Sequence, residues 1–170
     1  MRRNTKLISL ILGMMLIMPA ALAAGQSGLA TARQGTARFH NVAQAEAAEY
    51  ESTLGSLGCF ENPGTGGMGL HYLNGGLLMD GGEVDARTPE ALVYEMRADG
   101  KLKLVGLEYI VLRDDAATAP QLFGRSFHAH PVLPLWVLHA WVWAPNPLGM
   151  FEDWNPRVAL CPEDVLVFGS

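Results

Sequence analysis

Positive charge is scarce in this chain of 170 residues: 12 lysines and arginines stand against 17 acids, and charged residues are 17% of the whole. An acidic balance without a basic stripe repels phosphate backbones, which excludes nucleic acid as a partner. Cysteine is scarcer still. Cys59 and Cys161 are the only two, and no CxxC or zinc-finger spacing exists. The chain also lacks a GxSxG elbow and an HExxH helix, so neither the α/β-hydrolase nor the zincin signature is available. Ser126 and His128 lie two apart in a loop, which does not make a nucleophile–base pair. No sequence period indicates a coiled coil, a collagen or a solenoid.

What the chain does have is an apolar content of 49%, enough to build a core within one domain. Its first residues read as a secretory leader. Arg2, Arg3 and Lys6 precede an apolar run from Leu7 to Met18, then Pro19 and a small-x-small site at Ala21-Leu22-Ala23. We therefore divide the chain into a cleaved signal peptide (1–23), a flexible lead (24–35) and a single globular domain (36–170). Cleavage removes three basic residues and no acid, so the mature chain is more acidic than the full one. The longest later apolar run, Val132 to Trp143, is broken by Pro134 and His139, and no membrane span is expected in the mature protein. Export to the periplasm or medium makes a Cys59–Cys161 disulfide the expected state of the two thiols.

Phe39, Val42, Ala43, Ala47 and Tyr50 repeat at helical spacing, which predicts a helix over 36–51 capped by Thr36. Strands are expected at Met68 to Leu73, Ala91 to Met96, Lys101 to Leu112, Leu135 to Trp143 and Val165 to Phe168. Ala98-Asp99-Gly100 closes a hairpin in which Arg97 faces Lys101 and Gly100 takes a left-handed conformation. The fold class is α+β, with one N-terminal helix packed on a curved antiparallel sheet or small barrel. GTGGMG at Gly64 to Gly69 spells a dinucleotide fingerprint, but Asn62-Pro63 precedes it and a strand follows, so it reads as a turn.

Strand alternation places Glu108 beside Leu102, Leu104, Gly106 and Ile110, and His139 beside Val137, Trp141 and Trp143. A carboxylate among leucines must be paired, protonated or bound to a ligand. His139 reads either as a satisfied core histidine or, with His71 from another strand, as part of a site. Two histidines and a carboxylate suffice for a transition-metal site or an acid–base pair. The candidate pocket and metal set is thus His71, Glu108 and His139, with zinc or copper as the metal. The His128-Ala129-His130 loop is a second, weaker chelate. Trp141, Trp143, Trp154 and Phe151 could instead wall a flat small molecule or fill the core. Three functions remain open: a binding protein for a metal or small ligand, a small enzyme using Glu108 and His139 as base and acid, and a non-catalytic interaction protein.

The ordered segments TARFHNVAQAEAAEY, MGLHYLN, LVYE with GKLKLVGLEY, LHAWVW, NPLGMF and WNP resemble a family of exported bacterial proteins. The resemblance implies export and one domain. It implies no reaction and supplies no catalytic residue. Members similar to this chain often carry a further histidine just before LHxW, where Leu135 stands here.

Overall fold

A computed structural model describes residues 20–52, 58–162 and 167–168. Most of the expected leader, residues 1–19, lies outside these, as do 165–166 of the last expected strand.

Helix α1 runs over Ala20–Thr36, where a flexible lead was expected. Alanine-rich sequence favours it, and its three glycines, Gly25, Gly28 and Gly35, lie close against neighbouring segments. A Cβ on Gly28 would lie 2.9 Å from the Phe123 ring, and Arg33 Nε donates to the Val142 carbonyl at 3.0 Å. The single helix expected over 36–51 is absent. A 3-10 turn (Ala37–His40) and a short helix α2 (Val42–Glu46) share that stretch with strand β1 (Tyr50–Ser52). Asn41 interrupts the helix because its extended backbone lets its own side chain cap α2 by accepting from Ala43 N. Thr36 is not a cap; its hydroxyl donates to the Ala32 carbonyl in the last turn of α1.

The remaining elements are β2 (Cys59–Asn62), β3 (Gly66–Asn74), α3 (Gly75–Leu78), β4 (Ala91–Met96), β5 (Leu102–Leu112), β6 (Gln121–Leu122), β7 (Arg125–Ser126), β8 (His128–Ala129), β9 (Leu135–Ala140) and β10 (Val167–Phe168). The main sheet runs β10-β2-β3-β4-β5-β9-β8, with β1 pairing the far end of β3. Its pairings are antiparallel except β10 on β2, and the sheet is open. No barrel forms. The protein is therefore α+β with a sheet-rich core. Among the described residues no helix is long and apolar enough to cross a membrane.

The β4–β5 hairpin has the expected turn. Arg97 N donates to Lys101 O, Glu95 pairs with Lys103, and Gly100 sits at φ +75°. A Cβ there would touch nothing within 4 Å, so only backbone strain opposes substitution. Gly100→Val should cost about 1–2 kcal/mol in urea unfolding, against a few tenths for Asp99→Ala. Equal losses would mean that the turn does not hold Gly100 left-handed.

Beyond the turn the register shifts by one. Tyr94 pairs with Leu104 but Val93 pairs with Gly106, leaving Val105 as the extra residue of a bulge. Alternation therefore resets. Leu104, Leu107, Tyr109 and Val111 join Leu70, Tyr72, Leu92, Tyr94, Leu138 and Ala140 in the large core cluster that also contains Ala32, Phe39 and Ala45. Val105, Gly106, Glu108 and Ile110 take the opposite face. Glu108 is thus not beside Leu102 and Leu104, as strict alternation predicted.

On that opposite face, Val93, Val105, Trp141, Ala144 and Val158 form one apolar cluster, and Ala91, Ile110 and Val137 form another. A C-terminal strap, residues 145–161, crosses it. Gly67 and Asn155 form an isolated bridge, with Asn155 N donating to Gly67 O at 3.0 Å. A Cβ on Gly67 would lie 2.4 Å from the Ala159 carbonyl, so the glycine run is a saddle for this strap. Trp141 Nε1 donates to Glu152 O, and Asn146 Nδ2 donates to Trp154 O. The strap ends at Cys161, which is disulfide-bonded to Cys59 of β2.

Candidate metal centre

Three strands bring His71, Glu108 and His139 onto the strap-covered face. Glu108 of β5 pairs directly with His139 of β9 and, on its other side, with Ala91 of β4. His71 of β3 pairs with Val93, two residues along β4 from Ala91. Ala91 is small, so the Glu108 side chain can reach across β4 to the far strand. Gly106 plays the matching part for Trp141: a Cβ there would lie 3.1 Å from the indole, which stacks on the His139 ring at 6.2 Å between centroids. Because β5 and β9 are neighbours, the residues meet on one open sheet.

The carboxylate lies between the imidazoles. Glu108 Oε2 is 3.1 Å from His71 Nε2, and Oε1 is 3.6 Å from His139 Nε2. One ligand-type atom from each residue falls within 4.8 Å of the other two. His71, Glu108 and His139 are 6%, 7% and 3% exposed. The Phe60 ring packs edge-on against His71.

A second carboxylate extends the group toward solvent. Asp153, on the strap, meets His139 Nδ1 with Oδ1 and His128 Nε2 with Oδ2, each at 3.2 Å. With Nδ1 donating to Asp153, His139 turns Nε2 toward Glu108, and that buried nitrogen makes no hydrogen bond.

Electrostatics follow this alternation of acid and base. Burial would raise the Glu108 carboxyl, but the His139 and His71 imidazoles overcome it and hold it well below the usual range. Burial opposes charge on His139, and Glu108 and Asp153 reverse that, raising the imidazole. Asp153 is likewise lowered: burial works against its charge, but hydrogen bonds from His128 and His139 prevail. His128 is raised chiefly by its hydrogen bond to Asp153.

The His128–His130 pair does not act as one chelate. His130 Nδ1 accepts from the Val132 and Leu133 amides and shapes a turn, whereas His128 faces Asp153. Nor do the aromatics make one wall. Trp141 lies on the site face, while Trp143 and Phe151 pack against the opposite core and Trp143 Nε1 donates to Thr36 Oγ1.

Comparisons with protein-family models, with curated proteins and with solved structures returned no match. The chemistry of the site must be argued from its own atoms.

Two acids escaped sequence reasoning. Asp153 sits in a strap with no periodic pattern, and only its position after the His139 strand hints at a role. Glu90 follows Thr88-Pro89 just before β4. It is buried, and its Oε2 accepts from Ile110 N at 2.8 Å, supplying β5 with a partner where β4 has ended. Burial is the main cause that pushes its carboxyl up to about 8.

Proposed function

We propose that the protein is an exported binder of a divalent transition metal, held by His71, Glu108 and His139, with zinc the first ion to test. One observation carries the reading. His139 Nε2 is buried without a hydrogen bond and faces Glu108, while Nδ1 is engaged by Asp153. A lone pair against a carboxylate calls for a cation between them, and a carboxylate on the other ring nitrogen is the usual orienting partner of a metal-bound histidine. Two nitrogens and one oxygen, with no sulfur, suit zinc better than monovalent copper.

Acid–base catalysis on a diffusible substrate is less well supported, because it needs a reachable atom and both Glu108 and His139 are covered. The competing account is a proton in place of the metal: an imidazolium at His139 bridging Glu108 and Asp153.

Elemental analysis of exported protein, purified without chelator, should find one equivalent of metal. After chelator treatment, zinc at a hundred times its Kd should restore about 2.7 kcal/mol of stability, and His139→Ala should abolish that gain. A metal-free protein whose unfolding ignores added zinc would refute the reading in favour of the imidazolium.

A further inference from the structure

We propose that the metal enters and leaves the buried site by way of Asp153 and His128, with the His128 imidazole serving as a ligand in transit. This rests on the metal-binding reading above.

A hydrated cation cannot cross an apolar layer intact, because each water it loses must be replaced by another polar ligand as it goes. Around the triad that requirement narrows the choice of path. Val93, Val105, Trp141, Ala144 and Val158 close one flank, and Ala91, Ile110 and Val137 close the other. The sheet lies beneath, and Phe60 stands against His71. Asp153 continues from the triad as a polar side chain, with one oxygen on His139 and the other on His128. Side-chain exposure climbs along this line, from 3% at His139 to 36% at Asp153 and 43% at His128. Each member is of a type that ligates borderline metals, so a cation can exchange water for carboxylate and imidazole in successive steps.

His128 is not one of the three residues whose ligand atoms converge. It therefore has no place in the filled site, and its contribution is to the barrier. The route in is also the route out. Removing a transit ligand must slow loading and release by the same factor and leave the equilibrium alone, whereas removing a residue that orients the filled site weakens the equilibrium itself.

The test uses full-length, disulfide-bonded protein stripped of metal. Zinc uptake is followed by stopped flow against a chromophoric zinc indicator, and release is followed after adding excess chelator. His128→Gln keeps a hydrogen-bond donor for Asp153 but is a poor metal ligand. The expected result is that both rates fall by about tenfold or more, as a modest rise in barrier gives, with Kd unchanged. His130→Gln, a neighbouring turn residue, should leave both rates as they are. Unchanged rates in His128→Gln would overturn the proposal, and so would a weakened Kd with loading untouched, which would make His128 a positioning residue. Wild-type protein that takes up no zinc would overturn the metal reading itself, and this route with it.

Discussion

Glu108→Gln should remove zinc binding and, even in chelator, cost about 3–5 kcal/mol in urea unfolding, the usual result of breaking a buried charge network from one side. The substitution keeps the shape of the side chain, so packing against Ala91 and Ile110 survives and the loss reports charge. His71 and His139 would then share a buried space without the carboxylate that lies between them. A chelator-treated variant as stable as the wild type would show that Glu108 and the imidazoles do not depend on one another. Glu108→Leu is the informative companion. If the polar cluster is there only to be satisfied, a triple replacement of His71, Glu108 and His139 by apolar residues should recover stability, since well-packed hydrophobes often equal a buried ion pair. Under the metal-binding reading the triple variant folds and takes up no zinc.

The second large effect should come from Glu90, on grounds that involve no metal. Burial raises its carboxyl from the ordinary 4.5 to about 8 in the folded protein. Below the ordinary value both states carry the proton, and the neutral form is in place at no cost. Between the two values the unfolded chain ionises and the folded one does not, so the stability contributed by Glu90 is lost as pH rises and is gone above the folded value. Glu90→Gln removes this titration, and its amide oxygen can still accept from Ile110 N. The variant should match wild type near pH 4 and exceed it by several kcal/mol above pH 8, since each tenfold difference in proton affinity between the two states is worth about 1.36 kcal/mol. Chemical denaturation of both proteins across that range decides it. Parallel pH profiles would mean that Glu90 is ionised in the fold or reaches solvent.

The sequence made some of this legible and hid the rest for identifiable reasons. The turn at Ala98-Asp99-Gly100 could be read because it is local: three residues dictate one backbone geometry. His71, Glu108 and His139 could be chosen because polar side chains stand out in apolar strands. Their assembly could not be derived, since it depends on the bulge at Val105 and on β9 pairing with β5 across a loop of more than 20 residues. The helix over 36–51 failed because its apolar period ignored Asn41, whose side chain competes with the backbone, and Glu49, which sits at φ +65° just before β1. Asp153 was invisible because its partners belong to β8 and β9, and nothing in NPLGMFEDWNP encodes where that segment lies down.

The bulge also fixes which face of the sheet each later residue of β5 takes. Val105 divides β5 into two reading frames: before it the even-numbered residues Leu102 and Leu104 turn into the main core, and after it the odd-numbered Leu107, Tyr109 and Val111 do. If Val105 paired in line instead, opposite Val93, every later residue would slide by one, turning Glu108 into the main core and Tyr109 under the strap. Deleting Val105 would leave both frames in place, since Val93 already faces Gly106 and Leu92 faces Leu107, whereas straightening the bulge with every residue kept exchanges the two faces of half a strand. The charged centre thus depends on an uncharged residue's being left out of the pairing.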